Sequence, residues 1–345
     1  MKRSVKYVLN AVLILVLTAL TTWYLSKTQI VTMETLRSLR FVDCFVVTLW
    51  VYTCFAFLSF IEKIVYSTFC KYPYKTALLT TVYGALGSAV SPLKTAHFPL
   101  KAYAQKSNGI PFLKTLTGIT KCQIIFSTTS VLVYATLVVF FIVNKTTVFV
   151  MDVNVPVYLV VSIGFIANLL ILVVLTLISR IEKLRTAILT LVACFIKLFS
   201  KKFDKAEFVQ KKTERLRLFK EQTSAIFSNF KLFIFPAVLY AIYMFLSCLA
   251  PYVSYLCVTN TFFSLNDCLQ FYVLTLASTY LTNVIPTPGG CAVAEFVFAV
   301  VFKLTLKDFL APTLLLWRVS TYYIPTIINL IIFAFRILLR GRSNV

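Results

Sequence analysis

Residues 282–296 read Thr-Asn-Val-Ile-Pro-Thr-Pro-Gly-Gly-Cys-Ala-Val-Ala-Glu-Phe, a proline–glycine turn set in apolar surroundings. Pro286 and Pro288 end the incoming helix, Gly289 and Gly290 permit positive φ, and a second helix is expected from about Cys291. The first amides of a helix have no intrahelical acceptor and lie at the positive end of its dipole. The free amides that open this helix, just past Pro288, Gly289 and Gly290, are therefore a ready site for a phosphate or another anion. A structural turn without a ligand is the alternative. Glu295 follows one turn later. A carboxylate at membrane depth costs about 2.5–3.5 kcal/mol on insertion scales, so it must be paired, protonated or turned to a cavity. Arg318 is its natural partner, since a rise of ~1.5 Å per residue puts the two at compatible depths. Such a pair serves either as a structural bridge or as a clamp that binds a zwitterionic or cationic head group through both charges. Tyr322 and Tyr323 follow Arg318 by a helical turn and supply hydroxyl donors or aromatic packing.

A second cluster stands in Ser91-Pro-Leu-Lys-Thr-Ala-His-Phe-Pro-Leu-Lys-Ala-Tyr, where Lys94, His97 and Lys101 surround two prolines. Lysines here can hold the phosphates of inner-leaflet lipids, each worth about 1 kcal/mol against an anionic surface. They can equally be ordinary cytoplasmic charges. His97 is the only histidine. It has no second ligand candidate and no serine or cysteine at motif spacing, so neither a metal nor a catalytic role is assigned. Glu295 is the one acidic residue placed deep in the membrane.

The elements that must carry these residues are membrane helices. Hydrophobic residues make up 59% of the chain and charged ones 13%, against roughly 25% charged in a soluble domain. Stretches of ~20 apolar residues recur without a polar domain between them. The expectation is an all-α bundle forming one integral membrane domain over residues 1–345. Full spans are assigned to Tyr7 to Leu25, Phe41 to Ile61, Gln123 to Val143, Val155 to Ser179, Phe230 to Val253 and Ala311 to Phe335. Two further apolar segments, Thr76 to Ser91 and Cys268 to Ile285, each stop at a proline. If the first crossed fully, Lys94, Lys101, Lys106, Lys114 and Lys121 would lie outside with no acidic residue among them, against the positive-inside rule. It is therefore read as re-entrant from the cytoplasm. Parity then makes Cys268 to Phe302 a hairpin re-entering from the other face, its tip at Pro286 to Gly290. Both termini are cytoplasmic in a multi-pass protein of the cell membrane, and most of the 34 Lys and Arg residues fall on the cytoplasmic side. Oppositely oriented broken hairpins that meet near the midplane are how inverted-repeat transporters build a substrate site.

The amino-terminal run continues to Trp23, Tyr24 and Leu25 without a small-x-small cleavage site, so it is read as a retained span. The nine cysteines are scattered through apolar runs with no CxxC pair, which fits small buried hydrophobes rather than a metal or disulfide framework. Residues 197–223 mix many lysines and arginines with Asp204, Glu207, Glu214 and Glu221, as in a basic amphipathic helix lying on the cytoplasmic face. No structured reader of nucleic acid is found, and none is expected as a partner.

Three patterns then converge on one family. Pro-x-Pro-Gly-Gly-x-x-x-x-Glu at Pro286 to Glu295, Trp317-Arg-x-x-Thr-Tyr-Tyr ending at Tyr323, and Gly87-Ser-x-x-Ser-Pro through Tyr103 with Asn108-Gly-Ile-Pro resemble the lysylphosphatidylglycerol synthase/flippase membrane-domain family. The similarity covers nearly the whole chain in the same order. The chain departs from the family at Ala96-His97-Phe98-Pro99, where a Gly-Gly-Gln-Pro run is common, which points to a different lipid. The resemblance implies a flippase-like domain that binds and moves an anionic or aminoacylated phospholipid. Full-length members also carry a cytoplasmic transferase that takes lysine from lysyl-tRNA, and a chain ending at Val345 is expected to lack it. Pro288, Gly289, Gly290, Glu295, Arg318 and Tyr322 would bind the head group, and Lys94 and Lys101 would gather anionic lipid. Two rivals stay open. One is phosphatidylglycerol lysyltransferase activity, for which no nucleotide loop, acyltransferase motif or nucleophile–base pair is present. The other is a non-transporting partner of a separate lipid-modifying or glycosyl-transferring enzyme. No cofactor is expected.

Overall fold

The computed structural model describes residues 39–92, 94–144, 147–150, 153–156, part of 158–177, 230–284, 287, 289–291 and 293–343. The expected first span, most of Val155 to Ser179, and residues 197–223 lie outside the described residues. What is described is helical apart from one short β-hairpin. Helix α1 (Phe41–Ser67) opens at Arg40, whose guanidinium pairs with Asp43 in the first turn at 2.8 Å. A carboxylate there complements the positive end of the helix dipole. Helix α2 (Tyr74–Val90) follows Pro73 and stops at Ser91, because a residue ahead of Pro92 is pushed out of helical geometry. Helix α3 (His97–Ser107) packs back along α2, and α4 (Phe112–Asn144) follows Pro111.

The second half repeats that order of elements: a long helix, a helical hairpin and a long helix. Helices α5 (Phe230–Cys248) and α6 (Ala250–Thr259) form one apolar stretch broken at Leu249, where Pro251 lacks the amide that would continue the ladder. Helices α7 (Leu265–Val284) and α8 (Val293–Leu306) form the second hairpin. A short turn at Lys307–Phe309, entered with Lys307 at φ 46°, reverses the chain into α9 (Leu310–Arg318). A π-helical turn, Val319–Tyr323, joins α9 to α10 (Ile324–Ser343).

The halves interlock rather than sit side by side. Helix α10 packs on α2, and α1 packs against the π turn and α5. Apolar clusters fill both halves, one around Tyr252, Phe271, Phe298 and Phe302, another around Ile61, Tyr66, Tyr72 and Tyr240. Meanwhile Phe41, Phe45, Leu49, Val139, Phe140, Leu330, Ile331 and Phe335 stand exposed among the described residues, an apolar surface of the kind that faces lipid. Among the described residues four helical stretches are long and apolar enough to cross a membrane: Phe41–Ser67, Phe112–Val143, Lys231–Thr259 and Val293–Leu339.

Several expected spans are redrawn. Val155 is not in a helix: it pairs with Val148 in the hairpin β1 (Thr147–Val150) and β2 (Val153–Pro156). Hydropathy cannot tell strand from helix in a short run, and the β-branched residues here favour the strand. The span expected to end at Val253 runs on to Thr259 with its break at Leu249. The last span holds a π turn and continues to Ser343.

Candidate functional site

Among the described residues two buried ion pairs lie at the two hairpins. In the second, Arg318 at the end of α9 donates through Nε to Glu295 Oε1 at 2.5 Å, both side chains almost fully buried. The π turn that follows has a local cause. Pro325 has no amide to give the Thr321 carbonyl, so the backbone widens just upstream. Arg318 Nη2 also donates to the Gly289 carbonyl at 3.1 Å, and its guanidinium lies 4.0 Å from the centre of the Tyr322 ring. Gly289 and Gly290 have φ of 58° and 70°, as the turn requires. A Cβ on Gly289 would fall 2.2 Å from the Tyr322 ring.

The turn does not present a purely anion-seeking face. Glu295 is in the first turn of α8 and so already supplies negative charge to that helix start. Its other oxygen, Oε2, has no hydrogen-bond partner among the described residues, nor do Thr287 Oγ1 in the same turn and Ser320 Oγ. Buried polar atoms are normally satisfied, so this is unspent capacity for a ligand or water.

In the first hairpin Lys101, on α3, pairs with Glu62, on α1, and both are buried. Sequence reasoning missed Glu62 because the preceding span was closed at Ile61. The helix runs six residues further, and Leu58, Glu62 and Tyr66 recur at i, i+4 and i+8 on one face, which was the available signal. This face lines a cavity of about 390 Å³ that Lys94, His97, Lys101, Tyr240 and Tyr243 also line. His97 Nδ1 lies 2.9 Å from the Gly84 carbonyl and 2.8 Å from Ser88 Oγ. A carbonyl can only accept, so Nδ1 carries the proton and Nε2 is left as an acceptor. Gly84 is what admits α3 this closely: a Cβ there would come within 2.7 Å of Lys101 Cε and 3.1 Å of His97 Cε1.

The hairpins meet at Tyr322. Its hydroxyl donates to the Ala89 carbonyl near the end of α2 at 3.1 Å and accepts from Cys291 Sγ at 3.3 Å. Ala89, Cys291 and Tyr322 form one buried cluster with Tyr323 packed on it. Of the residues singled out from sequence, Gly289, Gly290, Glu295, Arg318 and Tyr322 are thus brought together. Lys94 and Lys101 are gathered instead at the cavity, and Pro288 lies outside the described residues. Among the described residues no cluster of His, Cys, Asp and Glu has the makings of a metal site. Residues 6–328 match the family described as Lysylphosphatidylglycerol synthase TM region. No curated protein and no solved structure matches the chain.

Proposed function

The chain belongs to the Lysylphosphatidylglycerol synthase TM region family, and from that premise we propose that it binds an anionic or aminoacylated phospholipid and moves it between leaflets. The observation that carries this reading is the partly open cavity at the first hairpin. It is lined by Lys94, Lys101, Glu62 and His97, and Tyr322 ties that hairpin to the buried Glu295–Arg318 pair of the second. A volume near 390 Å³ is that of a pocket for a head group. Charged walls are costly within a bilayer unless they serve a polar cargo or pathway. In this reading both hairpins re-enter, from opposite faces, and both termini are cytoplasmic. Lys94 and Lys101 receive the phosphate, while Gly289, Gly290, Glu295 and Arg318, with Pro288 and Tyr322 shaping the turn, hold the head group in the second half of its passage.

The test is transbilayer movement of fluorescent phosphatidylglycerol and lysylphosphatidylglycerol in proteoliposomes. The unaltered chain accelerates movement, and Glu295→Gln and Arg318→Ala abolish it in protein that still elutes as a folded particle. Unchanged movement in both variants would remove the second hairpin from the mechanism.

A further inference from the structure

A single side chain reaches from the cavity wall to the buried cation of the second hairpin. The Tyr322 hydroxyl donates to the Ala89 carbonyl at 3.1 Å, and Ser88, the residue before Ala89, lines the cavity. At the other end the centre of the Tyr322 ring lies 4.0 Å from the Arg318 guanidinium. The contacts that hold it there are weak one by one. Ala89 is the penultimate residue of α2, where carbonyls lose their helical amides, and Pro92 has no amide to give. The hydroxyl accepts from the Cys291 thiol at 3.3 Å, and a thiol is a poor donor. The ring fits because Gly289 has no Cβ. Tyr322 also rides on the π turn, a widened stretch of helix of the kind found at functional sites, where the buried Ser320 hydroxyl has no partner among the described residues.

We propose that Tyr322 is the gate between the two hairpins. Closed, it caps the Ala89 carbonyl with its hydroxyl and covers Arg318 with its ring. A head-group phosphate that leaves the cavity takes the place of the ring on Arg318, because a charge-assisted hydrogen bond outweighs a cation–π contact. The side chain then swings off the Ala89 carbonyl. The inference rests on the lipid-handling reading above and supplies the step that joins its two stages. The closed gate competes with the lipid for Arg318, so the unaltered chain binds less tightly than its charges alone allow.

The experiment has two arms, both on the full chain in detergent. In the first, no lipid is added, and modification of Cys291 by N-ethylmaleimide is followed on its own peptide by mass spectrometry. Cys291 is fully buried, so it reacts from the open state. Tyr322→Phe keeps the ring and removes the latch. Loss of one neutral hydrogen bond shifts an equilibrium by about fivefold. Cys291 is therefore expected to react about fivefold faster, while Cys268, 2% exposed near the start of α7, reacts as before. In the second arm phosphatidylglycerol binding is read by native mass spectrometry. Tyr322→Phe is expected to tighten it by the same factor, and the gain to vanish in a Glu295→Gln/Arg318→Met background, where the contested cation is gone. A tyrosine with only a structural role would not tighten binding when altered. Unchanged Cys291 reactivity, unchanged or weaker binding, or a gain that persists without Arg318 overturns the proposal. If the unaltered chain and its variants all fail to bind the lipid, the lipid-handling reading falls, and the first arm alone decides the gate.

Discussion

Removing the Arg318 guanidinium strands the Glu295 carboxylate, one of whose oxygens already has no partner. An uncompensated buried charge of this kind costs roughly 3–5 kcal/mol, whereas replacing both members of a buried pair with apolar groups is often close to neutral. Arg318→Ala should therefore lower the thermal unfolding midpoint in detergent clearly, and Glu295→Gln/Arg318→Met should recover most of the loss. Equal midpoints for Arg318→Ala and the unaltered chain would show that the pair carries no net stabilisation. At this scale the second hairpin was legible in the sequence, because an acidic residue in an apolar helix demands a partner and depth arithmetic singled out Arg318. Glu62 was not, because Glu62-Lys63 looks like the polar end of a span. Only a lysine from another helix, Lys101, makes its burial tolerable.

Among elements, the proline–glycine turn of the second hairpin leaves little room for substitution. Gly289 combines φ of 58° with a Tyr322 ring that would lie 2.2 Å from any Cβ. Gly289→Ala must therefore both strain the backbone and push Tyr322 off the Ala89 carbonyl. The expected result is a strongly lowered midpoint together with lost lipid movement. Gly109→Ala is the control: it shares a positive φ, 81°, but nothing lies within 4 Å of the added carbon. It should cost only the backbone strain, about 1 kcal/mol. A Gly289→Ala protein as stable as the Gly109→Ala one would contradict the packing described. The proline–glycine turn could be read directly because Pro and Gly act locally. The π turn and the β-hairpin could not. The first depends on Pro325 acting on a carbonyl four residues upstream, and the second on a cross-strand register that hydropathy does not encode.

For the whole molecule, the uneven placement of the 34 lysines and arginines along the chain is the basis of the proposed orientation. Asn108 lies in the loop between α3 and α4, and Phe262, 96% exposed, lies between α6 and α7. In the proposed topology, with re-entrant hairpins of opposite sense, these loops face opposite sides. In a cysteine-free chain, Asn108→Cys should react with an impermeant maleimide only after the cells are opened, and Phe262→Cys in intact cells. Labelling of both from one side would require a different number of crossings.

The opposite polarity of the two returning helices has an electrical consequence. Helix α3 carries the cation of its pair, Lys101, and α8 carries the anion of its pair, Glu295, yet each charge has its counter-ion on a neighbouring helix. Where each pair moves as a unit, its own movement shifts almost no net charge through the membrane field. That field is worth about 2.3 kcal/mol per elementary charge at 100 mV. In the proposed transport, the voltage across the bilayer then acts on the cargo and hardly on these two pairs. A lipid with a net negative head group and one made net positive by a lysyl group would be driven in opposite directions by the same potential.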